Sequence, residues 1–184
     1  MAIQRHRVFV SYHHANDQYY RDEFEKLFSE IYDIFVPQSV QIGDIDPNTP
    51  TERIRQIIRD NYLRDTTVTV VLIGTQTWQR KHVDWEIGSS LRHTMYNSRS
   101  GLIGIFLPSY PLEWNGNSWV YDINTIPPRL QDNIQNGFAT LYKWSNNPYE
   151  VQQWIHEAFD RRFKINPNNS RLSFSNNRSG ERWY

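Results

Sequence analysis

The segment Thr66-Thr-Val-Thr-Val-Val-Leu-Ile-Gly74, followed by Trp78-Gln-Arg-Lys-His82-Val-Asp-Trp85-Glu86-Ile87, decides how the chain is read. β-Branched and aliphatic residues run up to Gly74, the pattern of a buried strand. Beyond Gly74 the spacing becomes helical and predicts a helix over about 78–96. On such a helix Trp78, His82 and Glu86 stand at i, i+4 and i+8 and share one stripe, while Val83, Ile87 and Leu91 turn toward a core. A carboxylate, an imidazole and an indole are thereby offered beside the carboxyl end of a strand. In open α/β sheets that is where ligands bind.

Outward from this segment, strands and helices alternate. Arg7-Val-Phe-Val-Ser11 reads as a first strand and His13–Asp17 as the loop leaving it, with Asn16 or Asp17 as cap of a helix buried through Tyr20, Phe24, Leu27, Phe28 and Ile31. A second strand is expected near Ile34–Val36, then a long polar loop over 38–50. A helix opened by Pro50 and Thr51 carries Ile54, Ile57, Ile58 and Leu63. Gly101–Leu107 reads as a strand stopped by Pro108. Residues 108–136 break the rhythm, with a short helix near 128–134. Phe138–Trp144 reads as the last strand. Asn147, Pro148 and Glu150 then announce a closing helix with Val151, Trp154, Ile155, Ala158 and Phe159 on its buried face. From about 165 the chain turns Asn-, Ser- and Arg-rich without periodicity, and a loosely held polar tail over 165–184 is expected after a domain at 1–164. The alternation predicts a flavodoxin-like, doubly wound, mainly parallel sheet of about five strands flanked by helices.

Composition narrows the function classes. The 184 residues carry 20 Lys and Arg against 20 Asp and Glu, so no global field draws the chain to nucleic acid or an anionic membrane. Cysteine is absent, which excludes disulfides, thiolate metal sites and cysteine nucleophiles. Mean hydropathy is -0.73 while Trp and Tyr are abundant, so large rings do much of the burial. No apolar run has the length to span a bilayer, and a soluble cytoplasmic protein is the expectation. Neither G-x-G-x-x-G nor G-x-x-x-x-G-K-[ST] occurs, and no G-x-S-x-G elbow is present. His82, Glu86 and His93 do not form H-E-x-x-H, so no metal site is expected.

If the first and third strands are neighbours, their loops meet in one cleft. Ser11, Tyr12, His13 and His14 come from the first, Asp44 and Asp46 from the loop after the second, and His82 and Glu86 from the helix after the third.

These pieces carry a resemblance. Arg7-Val-Phe-Val-Ser-Tyr-His13 resembles the opening strand of a TIR domain, and the Trp85-Glu86 helix resembles its catalytic helix. Adding Val71-Leu-Ile-Gly-Thr-Gln-Thr77, Val83-Asp-Trp-Glu-Ile87, Ile126-Pro-Pro-Arg-Leu130 and the Trp154 helix, residues 5–163 are similar to bacterial TIR-like proteins of the Thoeris antiphage-defence type (ThsB-like). That resemblance implies cleavage of NAD+ at the nicotinamide–ribose bond, with Glu86 as catalytic residue and NAD+ as substrate rather than cofactor. Ser11, Tyr12, His13, Asp44, His82 and Trp85 are the substrate-binding candidates. It further implies an ADP-ribose-derived, in some relatives cyclic, nucleotide signal read by a partner effector protein, and self-assembly of the domain. Many relatives hold Trp four residues before the glutamate, where this chain has His82.

Plainer readings stand beside these. Glu86 can be a solvated helix carboxylate, His82 a partly buried structural histidine, Ser11 a backbone-bonded strand end and Trp78 a hydrophobic anchor. At the level of function the alternatives are a non-enzymatic TIR-like scaffold and a nucleotide sensor without turnover.

Overall fold

The computed structural model describes residues 4–38 and 48–184. Its strands and helices run in the order β1 (His6–Ser11), α1 (His14–Glu25), β2 (Phe35–Gln38), α2 (Thr51–Ile57), β3 (Val68–Ile73), α3 (Lys81–Ser90), β4 (Gly101–Phe106), β5 (Glu113–Trp114), β6 (Trp119–Val120), α4 (Pro128–Gln135), β7 (Ala139–Lys143) and α5 (Pro148–Arg161). Five strands form one parallel sheet in the order β2-β1-β3-β4-β7, and β5 and β6 make a separate antiparallel hairpin. The doubly wound sheet expected from the alternation is present, with β1 and β3 side by side.

Alternation along each strand sorts the core into two layers. Val8, Val10, Val68, Val70, Leu72, Ile103 and Ile105 face α1, the wider helical turns of Lys26–Ile31 that continue it, and α5, which bury Phe24, Phe28, Val151, Ile155 and Ala158 against them. On the other face Val71, Ile73, Leu102 and Phe106 meet Val83 and Ile87 of α3 and Leu130 of α4. Phe9 meets Ile54 and Ile58 there, with Trp85 and Leu63. β3 and β4 are buried on both faces, which is why their sequences run apolar almost without a break.

Several local expectations change. α1 begins at His14, so neither Asn16 nor Asp17 caps it; the Asp17 carboxyl is buried against Gly74 and bonded to Thr77. The helix after β3 begins at Lys81 rather than 78. Thr77 accepts from Gly74 N at 2.8 Å and donates to Leu72 O, which ties residues 77–79 into a separate 3-10 turn, and Arg80 is extended. Trp78 therefore leaves the stripe of His82 and Glu86 and lies buried at the turn. α3 also stops at Ser90, where Asp60 gathers Thr94 and Asn97 into a loop, so His93 is not on it. In the cap of α5, Asn147 accepts from Tyr149 N, and Ser145 links Asn147 N to Glu150.

Residues 165–184 have no regular structure but are not loose. Asn168 and Asn133 exchange bonds of 2.8 Å, Asn169 donates to Gly88 O and accepts from Arg129, and Phe174 N donates to Asp84. Arg178 N and Gly180 O both bond Gln79, and Trp183 reaches Ile126 O. The tail straps α3 and α4 through side-chain amides and backbone groups, contacts that leave no periodic signature. Among the described residues no helix is long and apolar enough to cross a membrane.

Candidate functional site

β1 ends at Ser11 on the face that meets α3, one pleat beyond Phe9. That placement sets the Ser11 hydroxyl against Glu86 on the second turn of α3, and Ser11 Oγ donates to Glu86 Oε2. One turn further, Thr69 and Ser90 bond across the same sheet–helix contact at 2.7 Å. The inner surface of α3 is therefore polar at Glu86 and Ser90, against Ser11 of β1 and Thr69 of β3, and apolar at Val83 and Ile87, against the far end of β3 and β4.

Glu86 is 2 % exposed. Among the described residues no cationic side chain offsets it, and loss of water pushes its pKa up to about 8, opposed by the Ser11 hydrogen bond. At neutral pH the resting carboxyl is largely protonated. A buried carboxyl without a counter-ion weakens the fold, so its stability does not account for a glutamate here. The plainer reading of Glu86 as a solvated carboxylate does not hold.

Beside Glu86 lies a narrow cavity of about 50 Å³, walled by Phe9, Val10, Tyr12, His14, Arg21 and Gln38. The Tyr12 hydroxyl donates to Gln18 at 2.6 Å, and burial raises its pKa. The Arg21 guanidinium pairs with Glu25 at 3.0 Å and Asp22 at 3.2 Å. The His14 ring lies between those of Tyr12 and His82, tilted against both, with ring centroids 4.5 and 4.7 Å away. His14, Arg21 and Gln38 were not among the candidates drawn from the sequence. Arg21 falls one helical turn and more beyond the strand end, where only knowledge of the first turn's direction could have found it.

The other candidates separate. His82 Nε2 lies 3.1 Å from Tyr12 O, an atom that can only accept, so Nε2 carries the proton. Burial lowers its pKa to about 4 and the ring is neutral, tying α3 to the end of β1 rather than facing Glu86. His13 is buried beside Arg80, its Nδ1 without a partner among the described residues, and it does not line the Glu86 cavity. Trp85 turns toward α2. Its ring packs with Phe9, Ile54, Ile58 and Leu63, and its Nε1 donates to Phe174 O at 2.8 Å. Asp44 and Asp46 lie outside the described residues. Ser11, Tyr12 and Glu86 are thus brought together, His82 adjoins them through backbone, and Trp85 does not line the cavity but packs on the outer side of Phe9 toward α2.

Two buried charges hold α3 in place, and sequence reading singled out neither as a pair. Arg129 Nε donates to Asp84 Oδ1 at 2.9 Å, with both side chains almost fully buried. Asp84 precedes Trp85 and Glu86, so the pair fixes the helix that carries the candidate carboxyl. Among the described residues no three His, Asp or Glu side chains are gathered as a metal site would need.

A strand ending in Ser11-Tyr12, a parallel neighbour ending at Gly74 and a helix presenting a buried glutamate can be set against known families. The family model described as Thoeris protein ThsB, TIR-like domain, matches residues 9–111, more than half of the chain. The chain belongs to this family. No protein of curated function matches it. The matched part of the TIR-like domain spans β1 to the loop after β4 and contains Ser11, Tyr12, His82, Trp85 and Glu86. It ends before Ile126–Leu130 and before the Trp154 helix, two pieces on which the sequence resemblance had also drawn.

Proposed function

We propose that this TIR-like domain cleaves NAD+ at the nicotinamide–ribose bond and releases an ADP-ribose-derived nucleotide as a signal in antiphage defence. One observation carries the reading: a buried, unpaired carboxyl, Glu86, held by Ser11 at the carboxyl edge of a parallel sheet. Family membership adds the defence context.

The chemistry follows from the charges. The pyridinium ring of NAD+ is cationic, and a cation brought beside Glu86 favours the ionised carboxylate. As the ribose C1′–nitrogen bond breaks, its electron pair leaves with nicotinamide, which departs neutral and requires no general acid. Positive charge builds on the ribose as an oxocarbenium, and Glu86 stabilises it from a site with little water. Attack by water, with loss of a proton, yields ADP-ribose; attack by an oxygen or nitrogen of the same molecule yields a cyclic isomer. The Arg21 guanidinium would meet the diphosphate by exchanging one of its carboxylate partners, Glu25 or Asp22, for phosphate oxygens. Pockets for small molecules occupy roughly 300–1,000 Å³, so the 50 Å³ beside Glu86 must widen before NAD+ enters. Self-assembly is the route that the family resemblance offers. The diffusible product would then act on an effector protein in the cytoplasm.

The tightness of the same cavity favours a second reading, a TIR-like scaffold without turnover. Incubation with NAD+ and quantification of nicotinamide separates the two, on protein purified from resting and from phage-challenged cells. Turnover abolished by Glu86→Gln, at least 100-fold below wild type, is the expected result; a loss of this size, ~2.7 kcal/mol, is ordinary for removal of an electrostatic stabiliser. A Glu86→Gln variant that protects cells from phage as well as wild type would defeat the enzymatic reading. Mass spectrometry of small molecules from challenged cells identifies the product.

A further inference from the structure

The edge of the sheet opposite Glu86 holds a second and far larger cavity, about 510 Å³, within the size range of small-molecule pockets. It opens at the amino ends of β1, β3 and β4, beside the last turn of α5, about 17 Å from the carboxyl edge by the length of a six-residue strand. Its wall includes Arg7, Arg59, Arg99 and Arg162, together with His6 and Tyr96.

The charges on this wall do not cancel. The acidic side chain of the wall, Asp65, is committed to Arg7 at 3.0 Å. Arg59 is only 1 % exposed, yet among the described residues it has no ion pair. One arm of its guanidinium donates to Leu63 O and Ser100 Oγ at 3.4 and 3.2 Å, and its Nε has no partner among the described residues. Arg99 donates to Arg162 O and Asn166, and Arg162 donates to Phe159 O, so these two guanidiniums also meet neutral acceptors instead of carboxylates. Asp60 and Asp65 near Arg59 and Asp160 near Arg162 act on these guanidiniums only at a distance, and three guanidiniums without a direct ion pair around one concave space favour an anion that joins them. The fork geometry of arginine matches phosphate oxygens. His6, 3 % exposed, adds an Nδ1 without a partner among the described residues, and its other nitrogen lies 3.0 Å from His156. Tyr96, largely exposed, supplies aromatic surface of the kind on which a base stacks, while the Phe159 ring is already stacked by His6 and covered by the Arg162 guanidinium.

We propose that this cavity binds a phosphate-bearing small molecule, held by Arg59, Arg99 and Arg162 at the sheet edge remote from Glu86. The site does not depend on the NAD+ reading, since no residue is shared between the two cavities.

Titration calorimetry on the full chain at low salt, with inorganic pyrophosphate and with AMP as probes, tests it. Saturable one-to-one binding is expected, weakened about tenfold or more by Arg99→Gln combined with Arg162→Gln and unchanged by Glu86→Gln. AMP binding more tightly than pyrophosphate shows that the aromatic wall takes part; equal binding assigns the site to the phosphate alone. Amide shift changes centred on Thr66–Thr67 and Asn97–Arg99 in the unaltered protein give a readout that does not require the arginine variant to fold. Absence of saturable binding by either probe overturns the proposal, as does loss of binding in Glu86→Gln or shift changes confined to the Tyr12–Glu86 edge.

Discussion

Ser11 and Glu86 form a pair in which one hydroxyl sets how readily a buried carboxyl ionises. The hydrogen bond favours the charged form, against desolvation that favours the neutral one. Ser11→Ala removes the favourable influence and moves the Glu86 pKa above about 8. If the carboxylate is the working form, the acid limb of the pH–rate profile for NAD+ cleavage moves to higher pH. On that limb a tenfold weaker acid is ionised about tenfold less, and the rate falls in proportion. Nicotinamide release measured from pH 6 to pH 9 checks this, and an unmoved limb would detach Ser11 from the chemistry. His82 behaves differently. Its proton is fixed on Nε2 by Tyr12 O, so it positions the end of β1 against α3 and does not exchange protons near neutrality.

At the scale of the element, α3 is held by ionic as well as apolar contacts. Arg129→Met leaves Asp84 buried without its counter-ion and is expected to lower unfolding free energy by about 3–5 kcal/mol. Pairing it with Asp84→Leu should restore part of that loss, because the two residues act as a unit; a urea-unfolding double-mutant cycle that proves additive would contradict the coupling. Much of the element order was legible in the sequence, since β3 and β4 are buried on both faces and α5 carries its own cap. The start of α3 was not. Helical spacing at Trp78 cannot show that the Thr77 hydroxyl closes a turn, and that closure takes Trp78 off the stripe. Nor did Asp84 and Arg129 announce themselves, because charges 45 positions apart on two helices read as solvated until the fold brings them together. Trp85 misled for a related reason: its neighbour Glu86 faces the sheet, and one residue along a helix turns a side chain by about 100°.

Across the whole molecule, three buried groups pull stability in opposite directions with pH. Burial holds His6 and His82 at about 4 in the folded chain, against 6.5 when exposed, so the unfolded state binds more protons between those values. Their contribution is present above pH 6.5 and lost as pH falls toward 4. Glu86 works the other way: its folded pKa of about 8 exceeds the ordinary 4.5, so its contribution is present below 4.5 and lost as pH rises to 8. Two histidines outweigh one carboxyl on the acid side, and the urea midpoint is expected to peak near pH 6.5. Glu86→Gln should flatten the alkaline decline, leaving the acid one intact; a decline that survives the substitution has another source. The strap of residues 168–183 across α3 and α4 bears on how such a molecule is made. Asp84 receives Phe174 N, and Trp85 gives its indole N–H to Phe174 O, across 90 and 89 positions of chain. During synthesis the sheet can assemble first, as amino-terminal parts do, while the helix bearing Glu86 stays unfinished on its outer side. The helix that carries Glu86 is therefore among the last elements to become rigid, and a nascent chain has its sheet before that helix is fully held.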